Sequence, residues 1–236
     1  MEQELKDIKK NLPKIICLEG NIGSGKSTLL DNLEKEFHRQ GRTDVIILRE
    51  PVDIWENTLD NNGENILKKF YKDPKKYSFP FQVLVFSTIM ESLNNAFIQQ
   101  GGIQYIICER SLMASRNVFA KMLYDDGMIE DMMYNIYENM FNEHIDLYSA
   151  TQIIYLNVDP EICYDRIMKR NRDGEQIIAL EYLKKCSKYH EKWLVNENMK
   201  EIPILHIIGN EDAVYDIEND KDIGLNWVKQ IVNFID

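Results

Sequence analysis

The chain has 236 residues, 44% of them apolar and 28% charged, which is ordinary for a globular protein, enough for one sizeable core and short for two. No apolar run approaches the ~20 residues that a bilayer-spanning helix needs. The formal charge of −11 repels a phosphate backbone and so disfavours a DNA or RNA partner, although a local basic patch can still bind a small anion.

Met1 to Lys14 mixes Glu, Asp and Lys, lacks Arg and Ser, and has no apolar centre, so neither a secretory signal nor a mitochondrial presequence is expected there. Apolar runs of strand length then recur at Ile15–Leu18, Val45–Leu48, Gln104–Cys108, Gln152–Val158 and Ile204–Ile208. Between them run helical periodicities, first Leu29, Leu30, Leu33 and Phe37, closed by Gly41. Asn61-Asn62-Gly63 marks a loop. A second periodicity follows at Val83, Leu84, Phe86, Ile89, Met90 and Leu93, and Gly101-Gly102 stops it before the third strand. After the fourth strand, Asp159-Pro160-Glu161 has the order of an N-cap, a first-position proline and a first-turn acid. The acidic stretch Glu211 to Asp222 reads as a solvated loop before a last helix near Leu225 to Phe234.

Continuous apolar strands alternating with helices predict an α/β sandwich with a parallel sheet covered on both faces. Without a linker or repeat, one domain is expected. Cys17, Cys108, Cys163 and Cys186 are far apart and form no C-x-x-C pair, which predicts reduced core thiols and favours the cytoplasm. His38, His144, His190 and His206 are equally scattered and lack the i, i+4 partner of a helical metal site.

The strongest chemical signal is Glu19 to Thr28, EGNIGSGKST, between the first strand and first helix. Gly20, Asn21, Ile22, Gly23, Ser24, Gly25, Lys26, Ser27 and Thr28 match the phosphate-loop pattern G-x-x-x-x-G-K-[ST] and continue it by one residue. Glycines let the backbone wrap close to phosphate oxygens, N–H groups and the helix N-terminus face the negative charge, Lys26 reaches the transferred phosphate, and Ser27 can hold Mg²⁺. ATP-type polyphosphate binding is expected.

A GTP switch would add a D-x-x-G after a strand and an N-K-x-D. Asp60 to Gly63 fits the first by letters but follows a helical stretch, and N-K-x-D does not occur. A motor or transporter ATPase would end a strand on a carboxylate for Mg²⁺. Of the two candidates, Asp159 fits capping, whereas Glu109 precedes Arg110 directly after a strand. Pro51 ends the second strand and leaves Glu50 at its carboxyl end. Ligand crevices of parallel sheets lie outside those ends, so the loop, Glu50 and Glu109-Arg110 are expected on one rim, a set suited to base-assisted transfer to a hydroxyl. Farther on, DRIMKRNRDGE sets Arg166 and Arg170 one turn apart, with Arg172 following. A cationic helix C-terminus explains them by themselves. Beside a phosphate loop, they also suit a lid closing arginines over transferred charge.

Taken with REPVDIW, YKDPKKYSFPFQ, CERS followed by SRNVFA, DRIMKRNR and LEYL, in order and spacing, the phosphate loop resembles the deoxyribonucleoside kinase family from about Lys14 onward. The resemblance implies a P-loop kinase fold with five parallel strands in the order 2-3-1-4-5, an N-terminal extension over residues 1–13 and an Arg-rich lid over 166–175. It implies ATP and Mg²⁺, Glu50 as base for the nucleoside 5′-hydroxyl, Arg110 steadying it, and Glu109 with Ser27 at the metal. Tyr71 and Glu181 would grip the sugar 3′-hydroxyl, Trp55, Phe81 and Phe119 would wall the base, and Gln82 would read it. Arg166, Arg170 and Arg172 match lid arginines, and Asp212 lies in GNEDAV, which resembles the loop that holds the ATP adenine. Ala213 stands there where an aromatic is often found, implying loose donor-base selectivity.

A flipped amide offers either order of donor and acceptor, so Gln82 suits cytosine and thymine alike. Ile89 and Ser115 align where deoxycytidine and deoxyguanosine kinases carry an Arg and an Asp; with Val85 nearby, they resemble the thymidine-accepting branch. Ser115 is larger and more polar than the alanine usual in that branch. Simple core packing is the other reading of Trp55, Phe81 and Phe119. The alternative activities are a nucleoside monophosphate kinase, which would show Asp-Arg-aromatic at Glu109-Arg110-Ser111, and a phosphate-loop ATPase. The family also implies a homodimer and feedback inhibition by an end-product deoxynucleoside triphosphate.

Overall fold

The computed structural model describes residues 12–99, 102–172, 174–196, 202–219 and 221–236. Most of the expected N-terminal extension, Gly101 of the helix stop and Asp173 of the lid segment lie outside the described residues. Five strands form the sheet: β1 (Lys14–Glu19), β2 (Val45–Leu48), β3 (Tyr105–Glu109), β4 (Gln152–Asn157) and β5 (Ile204–Ile208). All pair in parallel in the order β2-β3-β1-β4-β5, as the resemblance implies.

Alternate residues of β1 explain the two outer layers. Ile15 and Cys17 pack into one apolar cluster with Phe81, Phe86 and Leu112, whereas Ile16 and Leu18 pack into another with Leu29, Leu33 and Ile231. Helices α1 (Lys26–Arg39) and α10 (Ile223–Ile235) cover the second face. Gly41 ends the approach from α1 at φ 68, where its N–H bonds His38 O and that of Arg42 bonds Phe37 O, the pairing of a left-handed helix stop. All four cysteines are buried free thiols.

On the first face, α2 (Val52–Asn57) and α3 (Ile66–Lys72) lead into α4 (Pro74–Ile98). The latter begins nine residues before Val83, because Asp73 caps it by accepting from Lys76 N and Pro74 suits its first turn. Pro80 lies inside α4 and breaks the sequence signal there. Next, α5 (Leu112–Ala114) runs into a π-helical turn, Ser115–Ala120, and then α6 (Lys121–Asp125). It is followed by α7 (Asp131–Tyr148), α8 (Pro160–Arg170) and α9 (Leu180–Glu191).

Asp159 occupies the N-cap position of α8, yet its side chain accepts no capping hydrogen bond. The acidic loop before α10 is more than a solvated connection: Asp222 accepts from Leu225 N and Tyr215 N, and Glu211 and Asp212 line the cavity described next. No described helix is long and apolar enough to cross a membrane.

Candidate active site

One cavity of about 720 Å³ opens beyond the carboxyl ends of β1, β2 and β3. Its phosphate end is built by the turn between β1 and α1. Gly25 stands at the N-cap of α1 with φ 97 and offers no side-chain acceptor, which leaves first-turn N–H groups for an anion. At Gly23, φ is 78 and a Cβ would sit 2.5 Å from Cys163 O, so both conformation and the close approach of α8 require glycine. Ser24 Oγ is buried without a hydrogen-bond partner, a polar atom suited to a phosphate oxygen. Lys26 Nζ donates to Asn21 O at 2.8 Å and Gly20 O at 3.2 Å. Burial, with Arg110 nearby, lowers the Lys26 ammonium to about 8.

Ile22 through Thr28 line the cavity, whereas Gly20 and Asn21 form its support. Asn21 Nδ2 donates to Leu183 O at 2.9 Å and ties the loop to α9. Ser27 Oγ donates to Glu109 Oε1 at 2.7 Å. These two hard oxygen donors beside Lys26 fit a divalent cation that arrives with a polyphosphate. No group of three His, Cys, Asp or Glu side chains that could hold a metal by itself occurs among the described residues.

Arg110 has φ 70, an uncommon conformation for a residue with a side chain. Its N–H bonds Leu18 O at 3.1 Å and the next N–H bonds Glu19 Oε1 at 3.0 Å, so β1 holds the turn. The guanidinium is thereby directed to Glu50, with Nε donating to Oε1 at 2.8 Å, and lies 4.5 Å from the centroid of the Phe119 ring. Burial opposes charge on Glu50, but Arg110 and Lys26 outweigh it and hold the carboxyl below its ordinary value. Burial wins at Glu19, whose pKa is raised despite Arg110 and the Ser111 hydrogen bonds. The rim carboxylate is therefore held ionised, and the acid beneath the turn supports structure.

The other end of the cavity is aromatic. Phe81 stacks on Phe70 at 5.0 Å between centroids and meets Trp55 edge-on at 5.5 Å. Tyr71 follows Phe70, and Gln82 follows Phe81. Trp55, Tyr71, Phe81, Gln82, Val85 and Phe119 all line the cavity. Ile89 and Ser115 do not. Ile89, one turn beyond Val85, packs into the core, and Ser115 stands behind Gln82 with its hydroxyl 3.4 Å from Gln82 Oε1 and 2.9 Å from Tyr137 OH.

The three sequence-predicted lid arginines all line the cavity. Arg166 Nη1 donates to Ser24 O at 3.2 Å, and its Nη2 pairs with Asp212 at the same distance, joining the phosphate loop to the 209–212 segment. Arg170 and Arg172 line the cavity and pair with Glu175. Glu175 is the acid that the sequence reading missed. It is 5% exposed and lines the cavity with Tyr71. Burial and then Glu175 push the Tyr71 phenol well above its ordinary value, keeping it a protonated donor.

Glu181 is outside this site. Its side chain is 80% exposed and pairs with Lys184. The next residue, Tyr182, is the one that α9 turns into the cavity, edge-on to Tyr71, and adjacent helical residues do not share a face. Tyr215 and Trp227 were also missed; they bring aromatic rings to the end where Ala213 suggested none. The arrangement joins an anion cradle, a cation-compatible oxygen pair, an ionised base and a flat slot with one amide, as transfer from a polyphosphate to a small ring-bearing alcohol requires.

Comparison with known proteins gives the same grouping. Residues 16–233 match the family model described as deoxynucleoside kinase. The probable deoxycytidine kinase of fowlpox virus is 34% identical over 89% of this chain and 85% of its own length. Human mitochondrial thymidine kinase 2 is 33% identical over 82% of this chain and 69% of its own. Human deoxycytidine kinase is 34% identical over 84% and 85%, respectively.

Proposed function

The chain belongs to the deoxynucleoside kinase family, whose members phosphorylate deoxynucleosides, and on that premise we propose that it transfers the ATP γ-phosphoryl group to the 5′-hydroxyl of a pyrimidine deoxyribonucleoside, thymidine or deoxycytidine. One observation carries this reading: Glu50, ionised beside Arg110, shares a cavity with Lys26 at one end and Gln82 at the other.

The phosphate loop binds the donor, with Lys26 drawing charge from the transferred group and Arg166, Arg170 and Arg172 adding positive charge around it. Glu50 accepts the 5′-hydroxyl proton as the new phosphate ester forms, and Arg110 fixes the direction in which it accepts. Tyr71 and Glu175 offer a donor and an acceptor for the 3′-hydroxyl. Trp55, Phe81 and Phe119 wall the base, with Phe70 stacked on Phe81, and the Gln82 amide meets the base's hydrogen-bonding edge. Ser27 and Glu109 would hold Mg²⁺, which would supply neutralising charge to the donor phosphates.

A homodimer is part of the proposal. On α7, Met132 and Ile136 are 75% and 47% exposed, an apolar face suited to a second copy. A cytoplasmic residence and inhibition by an end-product deoxynucleoside triphosphate belong to the same reading. Thymidine triphosphate should compete in a steady-state assay, and absence of competition contradicts that regulation.

A panel of the four deoxyribonucleosides and thymidine monophosphate with γ-labelled ATP tests the function. Label should enter thymidine or deoxycytidine fastest. Faster labelling of the monophosphate, or equally fast ATP hydrolysis without any nucleoside, overturns it.

A further inference from the structure

A buried chain of three polar groups lies behind the aromatic slot and has no part in phosphoryl transfer. Tyr137 and Ser115 are 0% exposed and Gln82 is 2% exposed, so bulk water does not compete at these contacts. The Tyr137 hydroxyl lies 2.9 Å from Ser115 Oγ, which lies 3.4 Å from Gln82 Oε1. The amide oxygen carries no proton, so Ser115 must donate to it. Ser115 has one hydroxyl proton, and once that is spent, Tyr137 must donate to Ser115.

The chain thus has a polarity, running from Tyr137 O–H through Ser115 O–H to the Gln82 carbonyl. Turning the amide over would bring its NH₂ toward Ser115, which would then accept from it. Whether Ser115 next donates to Tyr137 or accepts from it, one of the two hydroxyl protons would lose its partner within this buried chain. An unsatisfied buried donor is costly, so the two amide orientations cannot be equivalent while that hydroxyl is present.

We propose that Tyr137 is a specificity-positioning residue: through Ser115 it holds Gln82 in one orientation and so biases the enzyme between a 4-amino and a 4-oxo pyrimidine. The inference rests on the pyrimidine reading above and deepens it. A cytosine edge offers an amino donor beside a ring-nitrogen acceptor, and a uracil or thymine edge offers the reverse order. One amide orientation satisfies one of these orders, and the flip satisfies the other. Tyr137 joins α7 and Ser115 begins the π-helical turn, so two elements that do not line the slot at these positions set its chemical preference.

Deoxycytidine and deoxyuridine are the probes, because they differ in this edge and share the absence of a 5-methyl group. Wild-type enzyme should favour one in kcat/KM by about tenfold or more, the scale of one buried hydrogen-bonding group. Tyr137→Phe should compress that ratio toward one by fivefold or more, chiefly through KM, with Ser115→Ala doing the same by releasing the amide. A uniform loss on both substrates, a wild-type ratio near one, or a ratio unchanged within twofold in both variants overturns the proposal. If Tyr137→Phe does not fold, the Ser115→Ala ratio alone decides. Gln82→Leu separates this failure from failure of the underlying reading. Unchanged kcat/KM for both probes in that variant removes Gln82 from base recognition altogether, whereas a large loss there with no change of ratio in the other two variants removes only the polarity device.

Discussion

The two ends of the cavity are encoded differently. The phosphate end is one continuous turn from Gly20 to Thr28, in which backbone conformation supplies much of the binding surface. The acceptor end is assembled from Glu50, Tyr71, Gln82, Arg110 and Glu175, side chains brought together from separate elements. A contiguous backbone cradle can be read from a short motif, and it fails as a unit when its geometry is broken. A distributed slot depends on tertiary packing, and its members should fail by amounts that reflect their separate tasks.

Glu50→Gln should have the largest effect, because it keeps the shape and removes the proposed base. A fall in kcat of about 10² to 10⁴-fold is expected, with nucleoside affinity by titration calorimetry changed only a few-fold. Gly23→Ala should break the opposite end through its backbone. Its Cβ meets Cys163 O at 2.5 Å, and a cost of about 1–3 kcal/mol should lower the melting temperature by several degrees while impairing donor binding. An unchanged melting temperature and donor affinity would show that the turn can relax, contrary to the all-or-none behaviour expected there.

Glu175→Gln should lower kcat/KM for the nucleoside about tenfold, whereas Glu181→Gln, outside the cavity, should stay within twofold. The reverse ranking would restore Glu181 to the site.

The smallest effect comes from pH at Lys26. Its ammonium has an ordinary value of 10.5 and is lowered to about 8 by burial and Arg110. The folded chain therefore releases this proton more readily than the unfolded one, so the Lys26 contribution raises stability as pH increases from about 8 to 10.5. Donor binding moves the other way, because phosphate needs the ammonium. ATP affinity should weaken by up to about tenfold between pH 7 and 9, with proton uptake on binding at the higher pH. Calorimetry in buffers of different ionisation enthalpy checks both; the effect should vanish in Lys26→Met.

The same division governs what could be read from the sequence. The strands were legible because both faces are covered and their apolar runs are continuous. Glu50 and Arg110 were legible because each stands just past a strand on the rim. The start of α4 was obscured by Pro80, and the π-helical turn at Ser115 has no comparable periodic signal. Glu175 depends on the left-handed Gly174 and a short 3₁₀ turn to enter the cavity. Glu181 was expected only from the resemblance of LEYL, and its place in the first turn of a helix points it to solvent. Tyr137 lies 22 residues from Ser115, and only the packing of two helical segments joins them.

The decisive measurement is a crystal structure with thymidine or deoxycytidine and a non-hydrolysable ATP analogue. The nucleoside 5′-oxygen should lie about 2.6–3.2 Å from a Glu50 carboxylate oxygen and in line with the terminal phosphorus above Lys26. A sugar bound with its 5′-oxygen beyond reach of Glu50, while the phosphates occupy the loop, would contradict the account.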